Sequence, residues 1–130
     1  MSPQKLAELG DLAVVSSIAA DGTPQSAVVA IAVTPNLEIV FDTVNTSRKY
    51  RNLVDRPECS IVIWKGEVTV QYEGIAEIAG ADFQKIYFNR FPEGRDRLTW
   101  PGITYFVVRP KWIRHSNFNA RPPEISEFSF

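Results

Sequence analysis

The chain alternates short apolar runs with turn residues, a pattern typical of a protein built mainly from β-strands. Strong turn signals stand at Asp21-Gly22, Pro35-Asn36 and Lys65-Gly66. Apolar or alternating runs between such signals predict strands. The predicted strands are 12–19, 24–33, 38–43, 59–64, 67–78, 103–109 and 111–116.

Two of these strands carry further information. Residues 27–33 are all apolar, which predicts a strand covered on both faces and paired antiparallel with 38–43. In 38–43, Ile39 and Phe41 are predicted on one face and Glu38 and Asp42 on the other. Gly74 lies inside the long amphipathic strand 67–78, where it predicts a bulge or bend.

Helix signals are few and local. Ser2-Pro3 predicts a short first helix, Ser47 can cap a second helix that ends before Pro57, and 82–91 has helical periodicity. Residues 119–130 are predicted to form a tail after the last strand. Residues 1–130 therefore form one predicted domain, a closed β-barrel of about seven antiparallel strands with a few short helices.

Composition excludes several classes of protein. The 14 basic and 15 acidic residues give a net charge of −1, which argues against a dedicated nucleic-acid binder. One cysteine and one histidine exclude an internal disulfide, a multi-cysteine zinc site and a histidine-rich metal cluster. No apolar run is long enough for a membrane span and no signal peptide is visible, so we expect a cytoplasmic protein.

The most informative stretch runs from Phe41 to Leu53, where a strand ends and a helix begins. Thr46 and Ser47 offer hydroxyls beside the helix N-terminus, and Arg48 and Lys49 add two cations in its first turn. The free N–H groups and the dipole at that end favour an anion. A terminal phosphate would satisfy these groups together, although solvated cations on an exposed turn are the simpler alternative.

The strand before it contains the small residues Ala27, Ala30 and Ala32. Small side chains leave room along the backbone for a flat ring or for a partner subunit. A planar ligand could lie there while its phosphate reaches Ser47. A plain core strand remains the alternative for most of these side chains.

These segments resemble the pyridoxamine 5'-phosphate oxidase-like, FMN-binding split barrels. The resemblance is carried by the segments DGTP, FDTVNTSRKYRNL, RPECSIVIW, VTVQYEGIAEI and YFVVRPKWIRHSNF, which together span about residues 5–118. The resemblance implies a homodimer with FMN at the interface and an oxidoreductase that moves hydride or electrons between flavin and a small molecule.

The resemblance also implies a cofactor site. Arg48 and Lys49, helped by Ser47 and Thr43, would hold the flavin phosphate, and the main chain of 27–30 would follow the flavin ring. Trp112 and Arg114 would approach the flavin of the other subunit or its substrate. The full set of expected cofactor-binding residues is Ala27, Val28, Val29, Ala30, Asp42, Thr43, Ser47, Arg48, Lys49 and Thr69.

Departures from the family pattern limit what can be inferred about activity. Ala27 and Ala32 stand where true pyridoxine-phosphate oxidases carry basic residues, and the chain ends in ISEFSF without their Arg-Leu-x-Pro segment. We therefore do not expect vitamin-B6 oxidation. A deazaflavin-dependent reductase, a non-catalytic flavin- or haem-binding sensor or store, and a split barrel without cofactor remain alternatives. The sequence predicts no catalytic residue, because His115 and Cys59 are more typical of structural positions.

Overall fold

The computed structural model describes residues 1–130 and contains one curled antiparallel sheet. Its strands are β1 (Leu12–Ile18), β2 (Pro24–Ala30), β3 (Ala32–Val33), β4 (Ile39–Val44), β5 (Glu58–Lys65), β6 (Val68–Ile78), β7 (Ile103–Asn117) and β8 (Glu124–Ser129). The helices are α1 (Pro3–Ala7), α2 (Arg48–Asp55) and α3 (Ala81–Arg90), and a 3₁₀ segment covers Pro92–Thr99. The mainly β split-barrel prediction is confirmed, whereas the expectation of a closed barrel is wrong, because the strand path ends at β2 on one side and at β3 on the other without joining.

The strand order is β2-β1-β5-β6-β7-β4-β3, and β8 also pairs with β7. The two long strands join the halves of the barrel: β7 pairs with β4 through its first half and with β8 through its second half. The interior holds the main core, which includes Phe41, Tyr72 and Phe106. A smaller cluster, with Val40, Tyr87 and Tyr105 among its members, lies between the outer surface of β4–β7 and α3.

The strand predicted over 24–33 is interrupted at Ile31. The Ile31 N–H donates to the Asp11 carbonyl oxygen at 2.8 Å, which draws the chain out of line between β2 and β3. Only Ala32 and Val33 pair with β4, so the expected pairing of the whole strand with 38–43 is wrong. Covering of both faces is also wrong within one chain, because Val28 is 61% exposed.

Two further expectations about the C-terminal third need correction. Pro110 does not divide 103–116 into two strands, because it lies opposite Gly74 where the β6–β7 register shifts, and an irregular pairing tolerates a residue without an N–H. Part of the expected tail, Glu124–Ser129, forms β8 against β7. The sheet therefore has eight strands. The bulge predicted at Gly74 is confirmed.

None of the helices combines the length and the apolar character needed to cross a membrane.

Candidate functional site

The turn between β4 and α2 brings together residues that the sequence predicts to hold a phosphate. Ser47 caps α2: its Oγ accepts from the Tyr50 N–H at 3.2 Å and shares a 2.8 Å hydrogen bond with Thr43 Oγ1. Thr43 itself is buried at the end of β4. The two hydroxyls thus fix the start of the helix, and its first N–H groups point out of the turn.

The charges of α2 oppose its dipole. Arg48, Lys49 and Arg51 lie in its first turn with no acidic residue, whereas Asp55 is its last residue. A helix is stabilised by acids at its start and bases at its end, so this order costs stability. An anion outside the helix would convert the same arrangement into a favourable one.

Arg48 and Lys49 line a pocket of about 100 Å³ together with residues of β1 and β2. Its lining consists of Val15, Ser17, Gln25, Ser26, Ala27, Arg48 and Lys49. A neighbouring pocket of about 430 Å³ shares Gln25 and Arg48 and extends to Arg51 and the β1–β2 turn. Neither Arg48 nor Lys49 forms an ion pair within the chain. We call the start of α2 with Thr43, Ser47, Arg48 and Lys49 the anion socket.

Lys49 is the less solvated of the two socket cations. Burial lowers its pKa, and the negative charge of Asp42 only partly opposes that effect. A partly desolvated ammonium without an ion-pair partner is poised to bind an anion, because the anion restores the favourable field that water no longer supplies.

Sequence reasoning missed the polar floor of this pocket. Asn52, which is buried, donates from Nδ2 to Ser17 Oγ at 3.0 Å and to Gln25 Oε1 at 2.9 Å. Asn52 lies one helical turn after Arg48 on the same side of α2, and that spacing was the available signal. The bonds tie α2 to the β1–β2 hairpin and hold Arg48 beside β2.

The strand expected to follow a ring, β2, is a sheet edge. It pairs with β1 only, so alternate backbone N–H and C=O groups on its other side have no strand partner. Ala27 lines the pocket, Ala30 is half-buried, Val28 points outward and Val29 points into the core. Backbone contact with a planar ligand is therefore available along this edge.

Asp42, expected among the cofactor-binding residues, belongs to a separate cluster outside the socket. Its carboxylate accepts a hydrogen bond from Arg97 Nε at 2.8 Å, and Arg97 also donates to Tyr87 Oη at 3.1 Å. Asp42 lies on the face of β4 away from Phe41, as the alternation predicted. Sequence reasoning missed Arg97, which is 55 positions away from Asp42 along the chain.

The remaining expected contacts lie apart from the socket in this chain. Thr69, Trp112 and Arg114 project from the outer face of β6 and β7, while the pocket lies between α2 and the β1–β2 hairpin. Arg114 pairs with Glu127 of β8 at 3.4 Å. One chain therefore divides the expected cofactor-binding residues into two separate groups.

The only histidine and the only cysteine lie outside the socket. Burial raises the pKa of the Cys59 thiol to about 12, so the thiol stays protonated in the core. His115 lines another pocket with Lys5 and Lys65, and burial lowers its pKa. The site can thus bind and orient a ligand, but it contains no evident general acid or base.

Comparison with known proteins agrees with this architecture. A haem-binding protein from Mycobacterium smegmatis superimposes with a TM-score of 0.82 at 14% identity; the match covers 98% of this chain and 56% of that protein. A pyridoxamine 5'-phosphate oxidase-related, FMN-binding protein from Nostoc punctiforme gives 0.69 at 11% identity, covering 99% and 91%. The haem storage protein HutZ from Vibrio cholerae gives 0.71 at 16% identity, covering 99% and 95%.

Identities this low establish the fold alone. A search of curated protein sequences gave no match. The sequence profile described as pyridoxamine 5'-phosphate oxidase, in contrast, matches residues 4–117, which include the socket, the β2 edge and both long strands. The chain therefore belongs to the pyridoxamine 5'-phosphate oxidase family.

Proposed function

We propose that this protein binds FMN, with the flavin phosphate held in the anion socket. The observation that carries the proposal is the cation pair Arg48–Lys49, unpaired in the chain, at a helix start where the Ser47 and Thr43 hydroxyls are already fixed. Lys49, the less exposed of the two, is partly desolvated. Together, two cations, a hydroxyl pair and free backbone N–H groups match a phosphate dianion in charge and in donors.

The open edge of β2 supports a site for the ring next to the phosphate. Ala27 is shared between this edge and the pocket, and its short side chain leaves the backbone accessible. A ring lying on this edge would receive hydrogen bonds from main-chain groups that no strand pairs. The distance from socket to edge is short because Asn52 ties α2 to β2 through Gln25.

A homodimer would complete this site. Val14 pairs with both Val28 and Val62, so the three side chains form an apolar row across the outer face of β2, β1 and β5. Val28 is 61% and Val62 41% exposed in the single chain. A second copy docked on this row would cover it and could bring its own Thr69, Trp112 and Arg114 to the first socket.

We further propose that the loaded protein is an oxidoreductase acting on a small molecule. A bound flavin supplies hydride and electron transfer. The chain's own residues bind the phosphate, orient the ring along β2 and limit water access through the dimer face. They supply no evident proton donor or acceptor, so the substrate would be one whose reaction depends on the flavin itself.

The haem-binding neighbours suggest a second candidate, a haem-binding sensor or store. The residues of this chain favour flavin over haem as the ligand. The only imidazole, His115, lies in a separate pocket, and the only thiol, Cys59, is buried in the core. A deazaflavin coenzyme would use similar phosphate contacts, and its chromophore distinguishes it from FMN.

The experiment is to identify the chromophore on protein purified from its expression host, then to titrate the stripped protein with FMN, deazaflavin coenzyme and haem. We expect released FMN, or saturable FMN binding if none is retained. A colourless protein that rejects FMN would contradict the proposal, and retention of haem without flavin would favour the second candidate. Bleaching of the bound flavin by a reduced nicotinamide nucleotide tests the oxidoreductase step; a flavin that no nicotinamide or other donor reduces would favour a store.

A further inference from the structure

The 3₁₀ segment carries a cation, Arg97, that bonds the residue preceding Thr43 of the socket. Arg97 Nε donates to Asp42 Oδ2 at 2.8 Å, and its Nη2 donates to Tyr87 Oη at 3.1 Å. The side chains of Arg97 and Asp42 are only 26% and 16% exposed. An ion pair this shielded from water is far less screened than a surface pair.

Asp42 directly precedes Thr43, the socket residue whose hydroxyl bonds Ser47. Its negative charge also acts on Lys49, since it opposes the effect of burial on the Lys49 pKa. Without a cation of its own, Asp42 would compete with a phosphate for Lys49 and repel that phosphate. Arg97 supplies that cation.

A second contact ties the same region to the socket. The Asn45 N–H, in the β4–α2 turn, donates to the Gly102 carbonyl oxygen at 2.8 Å. Gly102 has φ of +75°, and a Cβ there would collide with the Asn45 side chain. This bond extends the β4–β7 pairing by one residue, so the β4–α2 turn is joined to the chain that follows the 3₁₀ segment.

We propose that Arg97 is a positioning residue that neutralises Asp42 and so reserves Lys49 for the phosphate of the ligand. Through this ion pair the 3₁₀ segment sets the preference of the site for a phosphorylated flavin over its unphosphorylated form. The inference rests on the proposed function, because it specifies how the anion socket acquires that preference.

The test compares FMN and riboflavin affinities of wild type, Arg97→Gln, Asp42→Asn and the double variant, with Arg97→Lys as the conservative control. We expect Arg97→Gln to weaken FMN about tenfold and riboflavin less than about twofold, because only FMN carries the phosphate. Asp42→Asn alone should bind FMN at least as well as wild type. The double variant should recover FMN affinity, and Arg97→Lys should retain it.

A ligand-free measurement separates this inference from the proposed function. Titration of the Lys49 ammonium by NMR should show a higher Lys49 pKa in Arg97→Gln than in wild type, because the released Asp42 then attracts Lys49, and a return in the double variant. An unchanged Lys49 pKa, or a double variant as weak for FMN as Arg97→Gln, would overturn the role of Arg97. Wild type that rejects FMN while the Lys49 shift occurs would overturn the proposed ligand and leave the Arg97–Asp42 coupling established.

Discussion

At the scale of single residues, the socket is distinguished by where its cations lie. Four of the 14 basic residues, Arg90, Arg97, Arg109 and Arg114, form ion pairs, and Arg48 and Lys49 are among those that do not. The two socket cations differ from the other unpaired ones in position, because they begin a helix with no acid in its first turn and line a pocket beside its cap. That position favours a ligand-binding role for the two cations.

The lone histidine gives a residue-scale prediction about pH. Burial and the positive charges of Lys5 and the N-terminus lower the folded-state pKa of His115. The unfolded chain therefore binds this proton more readily than the folded one, so stability falls as the pH drops through the ordinary histidine pKa of about 6.5. Replacing His115 with Asn should flatten the fall in free energy of unfolding between about pH 7.5 and pH 5.

Denaturant titrations of both proteins across that range measure the effect. Glu8 and Glu124 line the same pocket and are the same in both proteins, so the comparison rests on the difference between the two curves. Identical slopes for wild type and His115→Asn would show that the imidazole is not the group responsible.

At the scale of elements, α2 is expected to be less stable than a helix of the same length whose charges match the helix dipole. Its cations stand at the positive end of the helix and Asp55 at the negative end. Replacing Arg48 with Glu should raise the free energy of unfolding of the ligand-free protein by up to about 0.3–1 kcal/mol, reduced by salt. The same variant should lose FMN binding, because a carboxylate would then face the phosphate.

Thermal and chemical unfolding of ligand-free wild type and Arg48→Glu give the comparison. Asp55→Asn is the matched variant, since it relieves the other end of the same helix without touching the socket. Lower stability of Arg48→Glu would mean that Arg48 makes a stabilising contact within the chain, and the argument from helix charge would fail.

The β6–β7 bulge yields a second element-scale prediction. A Cβ added at Gly74 would collide with the Arg109 carbonyl oxygen and with the Val108 side chain. Backbone atoms of a paired strand cannot move without disturbing the pairing. Gly74→Ala should therefore lower the free energy of unfolding by about 1–3 kcal/mol. Gly80→Ala, where nothing lies within reach of the added atom, is the control. Equal stability of the two variants would contradict the close approach at the bulge.

Local signals allowed α2, the socket and the Gly74 bulge to be predicted. A capping serine, early cations, a following proline and a glycine within an amphipathic strand all act over a few residues. The break at Ile31, the strand β8 and the Arg97–Asp42 pair depend on partners far along the chain. The residue pattern of 119–130 carries no information about the free edge of β7 with which β8 pairs. The segment was therefore expected to be a tail.

At the scale of the whole molecule, one chain holds half of the expected cofactor environment. The socket and the β2 edge lie at one side of the barrel, and Thr69, Trp112 and Arg114 lie on the outer face of the long strands. The apolar row of Val14, Val28 and Val62 lies on that same outer face. The arrangement favours a symmetric dimer in which each site draws on both copies.

Disruption of the apolar row should therefore affect assembly and binding together. Val62→Asp places a charge at the β5 end of the row, and we expect a monomer with weakened FMN affinity and native secondary structure. Ile78→Asp, an equally drastic change at a side chain 58% exposed at the far end of β6, is the control. Sedimentation and FMN titration measure both properties. A dimeric Val62→Asp variant, or a monomeric wild type with full affinity, would contradict this interface.

The start of α2 is proposed to bind the phosphate of FMN. The most direct test is to measure the dissociation constants for FMN and for riboflavin. We expect wild type to prefer FMN strongly, and Arg48→Gln to lose about 1.5–3 kcal/mol for FMN, or roughly ten- to a hundred-fold in affinity, while riboflavin binding stays unchanged. Lys85→Gln, at an exposed lysine of α3, should leave both constants as in wild type. Equal affinities of wild type for FMN and riboflavin, or equal losses for both in Arg48→Gln, would contradict the account.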